Sequence, residues 1–214
     1  MTEILLSPPY CTINTMETTT KPNYIIDGVT SLSPEDCQRY GISAIGFDVD
    51  GTLTDYLESM AEAEQHALTK LGHAGLELFI VSNAYNERAA ELTQIFGDYM
   101  LADHIITPKA CVDPRDPQDN PDNHSKPKPD MILHALAQLP EDFHPNQFLM
   151  VGDQLFKDPV AGHHAGVQTA LVSQLGTHDH PSVAQQRAAE RTALQQLGLP
   201  YLRDEYPTRL TPTE

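Results

Sequence analysis

Asp48 and Asp50 stand two residues apart in Phe47-Asp48-Val49-Asp50-Gly51-Thr52-Leu53-Thr54, directly after the apolar run Ala44-Ile45-Gly46-Phe47. If that run is a strand, alternation puts both carboxylates on one side of its carboxyl end, where open α/β sheets bind ligands. Two adjacent carboxylates repel, so a shared proton, a lysine or a divalent cation must compensate. Gly51 allows a sharp turn just after them. A calcium loop of the EF-hand kind is excluded, because Leu53 stands where it needs Gly and Ser59 where it needs Glu. A short acidic turn without chemistry remains the alternative.

Three further segments have the same placement. Ser82-Asn83 follows Leu78-Phe79-Ile80-Val81 and leads toward a helix start near Asn86. Hydroxyl, amide and free helix N–H groups together make a phosphate grip, although Ser-Asn serves equally well as a plain cap. Ser125-Lys126-Pro127-Lys128-Pro129 precedes another helix pattern and, alone, reads as a solvated loop. Val151-Gly152-Asp153-Gln154, with Asp158 beyond, brings a third carboxylate to a strand end. Three carboxylates offering hard oxygen ligands suit Mg²⁺, which keeps several waters and coordinates substrate phosphate.

The elements that must position these residues are legible as periodicity. The runs at 44–47, 78–81, 148–151 and Thr169-Ala170-Leu171-Val172 are nearly continuous, as in parallel strands covered on both faces. Between them, Leu57, Met60, Ala61, Leu68 and Leu71 share a helical face that Gly72 closes. Ala89, Leu92, Ile95 and Phe96 form another face ending at Gly97, and Met131, Leu133, Ala135 and Leu136 a third, opened by Pro129 and Asp130. Strands alternating with helices predict an α/β fold, a Rossmann-like doubly wound parallel sheet with helices on both faces. Residues 1–24 read as a loosely held arm and 25–175 as the core. Residues 107–125, with four prolines and four aspartates, form a long surface loop. Residues 176–214 hold a helix from Pro181 to Leu197, closed by Gly198, and a tail. Neither interval between motifs has room for a large cap domain, so the site is open unless a second copy (a homo-oligomer) or the C-terminal segment covers it.

Composition bounds the function. The 214 residues carry 13 basic and 30 acidic side chains, a net charge of −17, with 40% hydrophobic residues. Such a chain is globular and a poor partner for nucleic acid or an anionic membrane surface. No run approaches the ~20 apolar residues of a membrane helix, so no stable membrane insertion is expected. Cys11, Cys37 and Cys111 are too scattered for a disulfide framework, and no secretory signal or presequence is evident. A reducing, cytoplasmic setting is the expectation. The ten histidines show no helical zinc spacing; His163, His164, His178 and His180 read as surface or packing residues, and pairing of Cys111 with His124 is weaker still.

The ordered set of aspartate pair, hydroxyl, lysine and acidic pair resembles the haloacid dehalogenase (HAD) superfamily of Mg²⁺-dependent phosphohydrolases over about residues 24–175. Pro22-Asn23-Tyr24, Pro34-Glu35-Asp36, Gly41-Ile42, Val81-Ser82-Asn83 and Val151 to Asp158 resemble its YqeG-type HAD-IIIA branch, itself similar to the fungal phosphatidylglycerophosphate phosphatase. The resemblance implies a nucleophilic Asp48 that becomes an aspartyl-phosphate. It implies an acid/base Asp50 that also offers its carbonyl to the metal. Phosphate contacts would come from Gly51, Thr52, Ser82, Asn83 and Lys126, with Lys128 the weaker lysine. Metal ligation would fall to Asp48, Asp50, Asp153 and Asp158, the last through water or as an orienting group. The expected substrate is a small phosphorylated molecule. Alternatives are phosphatidylglycerophosphate, a phosphotransferase or mutase reaction, and non-catalytic phosphate binding. This chain departs from the branch with Gly51 where the branch has Asn, and with His163-His164 where it has Asn-Arg. A cation near the site is therefore expected to be missing or pH-dependent.

Overall fold

A computed structural model describes residues 20–214. Seven strands run in chain order: β1 (Tyr24–Ile26), β2 (Ala44–Phe47), β3 (Glu77–Val81), β4 (Ile105–Ile106), β5 (Phe148–Gly152), β6 (Gln168–Val172) and β7 (Thr211–Pro212). They form one sheet in the order β4-β3-β2-β5-β6-β1-β7. Every pairing is parallel except β7 against β1. The four continuous apolar runs are four adjacent central strands. β2 and β5 are buried throughout, because helices cover both faces and alternation cannot appear.

Six helices fill those faces: α1 (Pro34–Arg39), α2 (Glu62–His73), α3 (Asn86–Phe96), α4 (Asp130–Leu136), α5 (Asp158–Ala165) and α6 (Pro181–Gln196). Ile45, Phe47, Ile80, Leu149 and Val151 point to one face, where Cys37, Leu68, Leu71, Leu92 and Phe96 of α1 to α3 meet them. Phe79, Val81, Phe148 and Met150 point to the other, beneath Met131, Ile132, Ala135 and Ala161 of α4 and α5. α6 packs beside them through Ala193 and Leu194 on Leu155 and Leu171.

Local expectations hold for α3 and α6, whose starts and glycine ends fall where the pattern puts them, and for the start of α4 at Asp130. α2 differs. Leu57 is exposed at φ 60 outside the helix, and Gly72 lies within it, with the chain reversing at Gly75 (φ +85). The cause lies at the site: Thr52, Leu53 and Thr54 all donate backbone N–H groups to Val49 O, and Leu57 N–H donates to Asp50 Oδ1 at 3.4 Å. That turn holds residues 52–57 over the strand end and delays the helix.

Most of the expected N-terminal arm, with Cys11, lies outside the described residues. Its end does not: Asn23 Oδ1 accepts from Thr169 N and Oγ1 at 2.9 and 3.0 Å, tying β1 to β6. The tail returns to the sheet as β7, where Tyr24 faces Pro212 and Ile25 faces Thr211.

The 107–125 loop contains two short 3₁₀ turns closed by one histidine. His124 reaches Asp119 at 2.8 Å and Asp130 at 2.7 Å through its two ring nitrogens. Both carboxylates raise the His124 pKa above its ordinary 6.5, Asp130 most, while Asp119 is held well below the usual carboxylate range, chiefly by the backbone N–H of Asp113 and then by His124. A raised histidine stabilises the fold fully below pH ~6.5, and that contribution fades as pH rises through the folded value; a depressed carboxylate contributes above pH ~3.9 and fades on acidification. The clasp is therefore tightest between roughly pH 4 and 6.5. The protection factor of the Asp113 amide, which donates to Asp119 Oδ2 at 2.8 Å, should be higher at pH 6 than at pH 9 once intrinsic exchange rates are divided out, and a His124 titration midpoint at or below 6.5 would refute the clasp.

Candidate active site

All four motifs end at one edge of the sheet. β2, β3 and β5 are adjacent and parallel, so Asp48, Ser82 and Asp153, each one residue past its strand, stand side by side. Asp48 is held in register by its N–H donating to Val151 O at 2.9 Å. Asp158 opens α5 and is fully buried.

Lys126 is the organising charge. Its Nζ, buried in the protein, donates to Asp48 Oδ1, Asp158 Oδ1 and Val81 O, each at 2.7 Å. Burial would lower its pKa, but Asp158 and Asp48 outweigh that and push it up to about 12. Asn83 brackets the lysine backbone: Lys126 N–H donates to Asn83 Oδ1 at 2.8 Å, and Asn83 Nδ2 donates to Lys126 O at 3.1 Å. The amide of the second motif thus fixes the lysine of the third. Lys128 instead donates to Asn123 O on the exposed loop and is not part of this group.

Asp48, Asp153 and Asp158 each place a carboxylate oxygen within 4.8 Å of the others, the one cluster among the described residues with a metal-holding arrangement. Burial pushes Asp153 up to about 7, with Asp48 and Asp158 adding to it and Arg187 opposing. Asp158 is also raised by burial, against the pull of Lys126. Among the described residues, three buried carboxylates here face two cations, Lys126 and Arg187. Hard oxygen donors in electrostatic deficit fit a divalent cation of the Mg²⁺ kind. Two glycines make the approach possible. A Cβ on Gly51 (φ +89) would lie 2.5 Å from Asp153 Oδ2, and one on Gly152 2.1 Å from Asp158 Cγ. Thr52 is buried, and its hydroxyl reaches Asp153 Oδ1 at 3.4 Å.

Asp50 has different company. Its Oδ1 accepts from Arg88 Nη2 at 2.7 Å, and its side chain is not in the three-carboxylate cluster. Asp48, Asp50, Ser82 and Asn83 line a cavity of about 510 Å³. Tyr56, Leu57, Tyr85 and Arg88 make part of its wall, and His178, Asp179, His180 and Val183 of the C-terminal segment another. Among the described residues there is no inserted cap; the C-terminal segment lies over one side. Asp55 pins it, accepting from His178 N at 3.1 Å and pairing with His178 Nδ1 at 2.8 Å.

Sequence reasoning missed Arg88 and Arg187. The departure at His163-His164 does not leave the site without cations, because those histidines are exposed on α5 and the charge comes from α3 and α6 instead. A signal for Arg187 existed. Val183, Arg187, Glu190 and Leu194 share one helical face, and an arginine and a glutamate within an apolar stripe must be paired. Read only as charge, Arg187, Arg191, Arg203 and Arg209 look like a loose basic group. In the fold Arg187 meets Asp153, Arg191 lies 4.1 Å over the Tyr201 ring, and Arg209 meets Asp36.

Three comparisons bear on this arrangement. No curated protein matches the chain. Solved structures similar to it include NagD from Escherichia coli K-12 (15% identity, 64% of this chain and 90% of that one, TM-score 0.48). A 4-nitrophenylphosphatase from Thermotoga maritima is another (14%, 74% and 92%, 0.46). A third is the core domain of a putative phosphoglycolate phosphatase from Streptococcus pneumoniae (19%, 71% and 96%, 0.43). These likenesses carry no argument about chemistry. The sequence model of the HAD-hydrolase-like family matches residues 123–198. That stretch holds Lys126, Asp153, Asp158 and Arg187 but not Asp48, Asp50 or Ser82, and over it the chain is similar to HAD-like hydrolases.

Proposed function

We propose that the protein is a Mg²⁺-dependent phosphomonoester hydrolase working through an aspartyl-phosphate on Asp48. The observation that carries this reading is Lys126 bound to both Asp48 and Asp158, with Asp153 alongside, while Asp48 itself lines a cavity together with Asp50 and Ser82. Phosphoryl transfer needs positioning and charge neutralisation above all, and this group of residues offers both.

An Asp48 carboxylate oxygen attacks phosphorus, the ester P–O bond breaks, and Asp50 gives the departing oxygen its proton. Asp50, now a carboxylate, takes a proton from water as that water attacks the phosphoaspartate. The P–O bond to Asp48 then breaks, releasing inorganic phosphate and restoring both aspartates. Arg88 Nη2 lies 2.7 Å from Asp50 Oδ1 and fixes where that carboxyl group stands. The Ser82 hydroxyl and Lys126 neutralise the phosphoryl oxygens. Asp48, Asp153 and Asp158, with the carbonyl of Asp50, would hold Mg²⁺, which supplies charge stabilisation to the phosphoryl group when bound. The YqeG-type resemblance over Val151 to Asp158 supports the same assignment.

The test is phosphate release from a panel of phosphomonoesters, including phosphatidylglycerophosphate, with Mg²⁺ and with EDTA. Mg²⁺-dependent release is expected, and absence of release from every ester would overturn the reading. Metal binding has its own check. A cation bound only by the folded state at 100 times its dissociation constant stabilises it by roughly 2.7 kcal/mol. Melting should rise with Mg²⁺ and the shift should vanish in Asp153→Ala; a curve indifferent to millimolar Mg²⁺ would refute the metal.

For the substrate we infer a soluble ester. No helix among the described residues is long and apolar enough to cross a membrane. A chain at −17, with Arg187, Arg191 and Arg209 engaged internally, is repelled by an anionic surface over about a Debye length, ~8 Å at physiological salt. Activity on the lipid in anionic vesicles should therefore be weak and stimulated by salt. Efficient low-salt turnover on such vesicles, with soluble esters untouched, would establish a lipid phosphatase instead.

A further inference from the structure

Arg187 lies on α6, far along the chain from any motif, yet it makes the shortest contact to Asp153. Its Nη2 donates to Asp153 Oδ2 at 2.5 Å and its Nη1 to the Asp153 carbonyl at 3.3 Å. The far side of the guanidinium is equally engaged. Asp179 accepts from Nη2 and Nε at 2.9 and 3.2 Å, and Glu190 from Nη1 at 3.2 Å. Glu190 is itself buried and accepts from Phe156 N–H at 3.2 Å, so it is anchored to the loop that follows Asp153. A planar fork gripped from behind by two acids cannot follow a moving partner; it dictates where the partner sits. It occupies Oδ2, and among the described residues Asp153 Oδ1 has only the Thr52 hydroxyl, at 3.4 Å.

We propose that Arg187 is a positioning residue that orients Asp153 for divalent-cation binding, making α6 part of the active centre. The proposal rests on the reading of Asp153 as a metal ligand given above. It also explains why Asp179 and Val183, which flank the start of α6, line the same cavity as Asp48. The helix that carries the fork brings its own N-terminal end over the site.

Charge and positioning predict opposite signs, which makes the proposal testable. Removing a positive charge beside three carboxylates should, by Coulomb attraction alone, tighten Mg²⁺ binding. Losing the orientation of a ligand should weaken it, about 10–100-fold for residues that hold metal ligands. The experiment is a calorimetric Mg²⁺ titration of the full-length protein as wild type, Arg187→Met and Arg187→Lys, with circular dichroism confirming the fold. Both variants are expected to bind Mg²⁺ more weakly than wild type, the lysine because it keeps the charge but not the two-atom grip on Oδ2 and the carbonyl. If the methionine variant does not fold, the lysine variant decides. Unchanged or tighter binding in a folded variant would overturn the positioning role while leaving the hydrolase reading intact. Absence of Mg²⁺ binding by the wild type would overturn the metal site itself, and this proposal with it.

Discussion

Asp48→Asn is expected to lower phosphomonoester turnover by roughly 10⁴–10⁶-fold, the range seen when a covalent nucleophile is removed from an otherwise intact site. The amide cannot attack phosphorus, yet its carbonyl oxygen can still accept from Lys126 Nζ, which donates to Asp48 Oδ1 at 2.7 Å. The substitution also removes one of three carboxylates that crowd within 4.8 Å. Melting should therefore stay at the wild-type value or rise. Both halves of the result matter, because lost turnover in a collapsed protein would say nothing about the nucleophile. Steady-state release and a melting curve on one preparation test it. Turnover within tenfold of wild type would eliminate the covalent mechanism. Asp50→Asn should lose less, about 10²–10⁴-fold, since it removes proton transfer and leaves the nucleophile.

Lys126→Met should have the largest effect on stability. The side chain is 2% exposed and, among the described residues, is the only cation bonded to Asp48 and to Asp158. Breaking a buried pair from one side leaves uncompensated charge, at a cost of about 3–5 kcal/mol. In a chain of this size that corresponds to a fall in melting temperature of roughly 6–20 °C. The pH dependence follows from the Asp158 pKa, which burial raises while Lys126 pulls it down. Without the lysine it rises further, and a raised carboxylate favours the folded state at low pH and loses that contribution as pH increases. The variant should therefore be less impaired at pH 5 than at pH 8. Lys126→Met with Asp158→Asn should recover part of the loss, because it removes the charge left behind. Melts at the two pH values decide the matter; an equal penalty at both would show that packing rather than charge accounts for it.

The sequence by itself determined the sheet's central strands and which residues end them. Runs such as Phe148-Leu149-Met150-Val151 are apolar on both sides because helices cover both faces, and the polar residue that follows each run must lie at the carboxyl edge. It also determined the start of α4 and both ends of α3 and α6, where proline or glycine chemistry acts locally. It could not give the outer strands β1 and β7, three and two residues long and defined only by their pairing with distant segments. Leu57 shows the same limit: helical periodicity includes it, but the turn around Val49 O holds it at the mouth of the cavity. The cations were the largest omission. Asp48, Asp50 and Asp153 are legible because a carboxylate at a strand end is a local pattern. Arg88 and Arg187 are not, because a long flexible side chain on a helix declares its partner only when the helix docks. Arg187 is 34 residues from Asp153 in the chain, and only the packing of α6 against Leu155 and Leu171 places its guanidinium on that carboxylate.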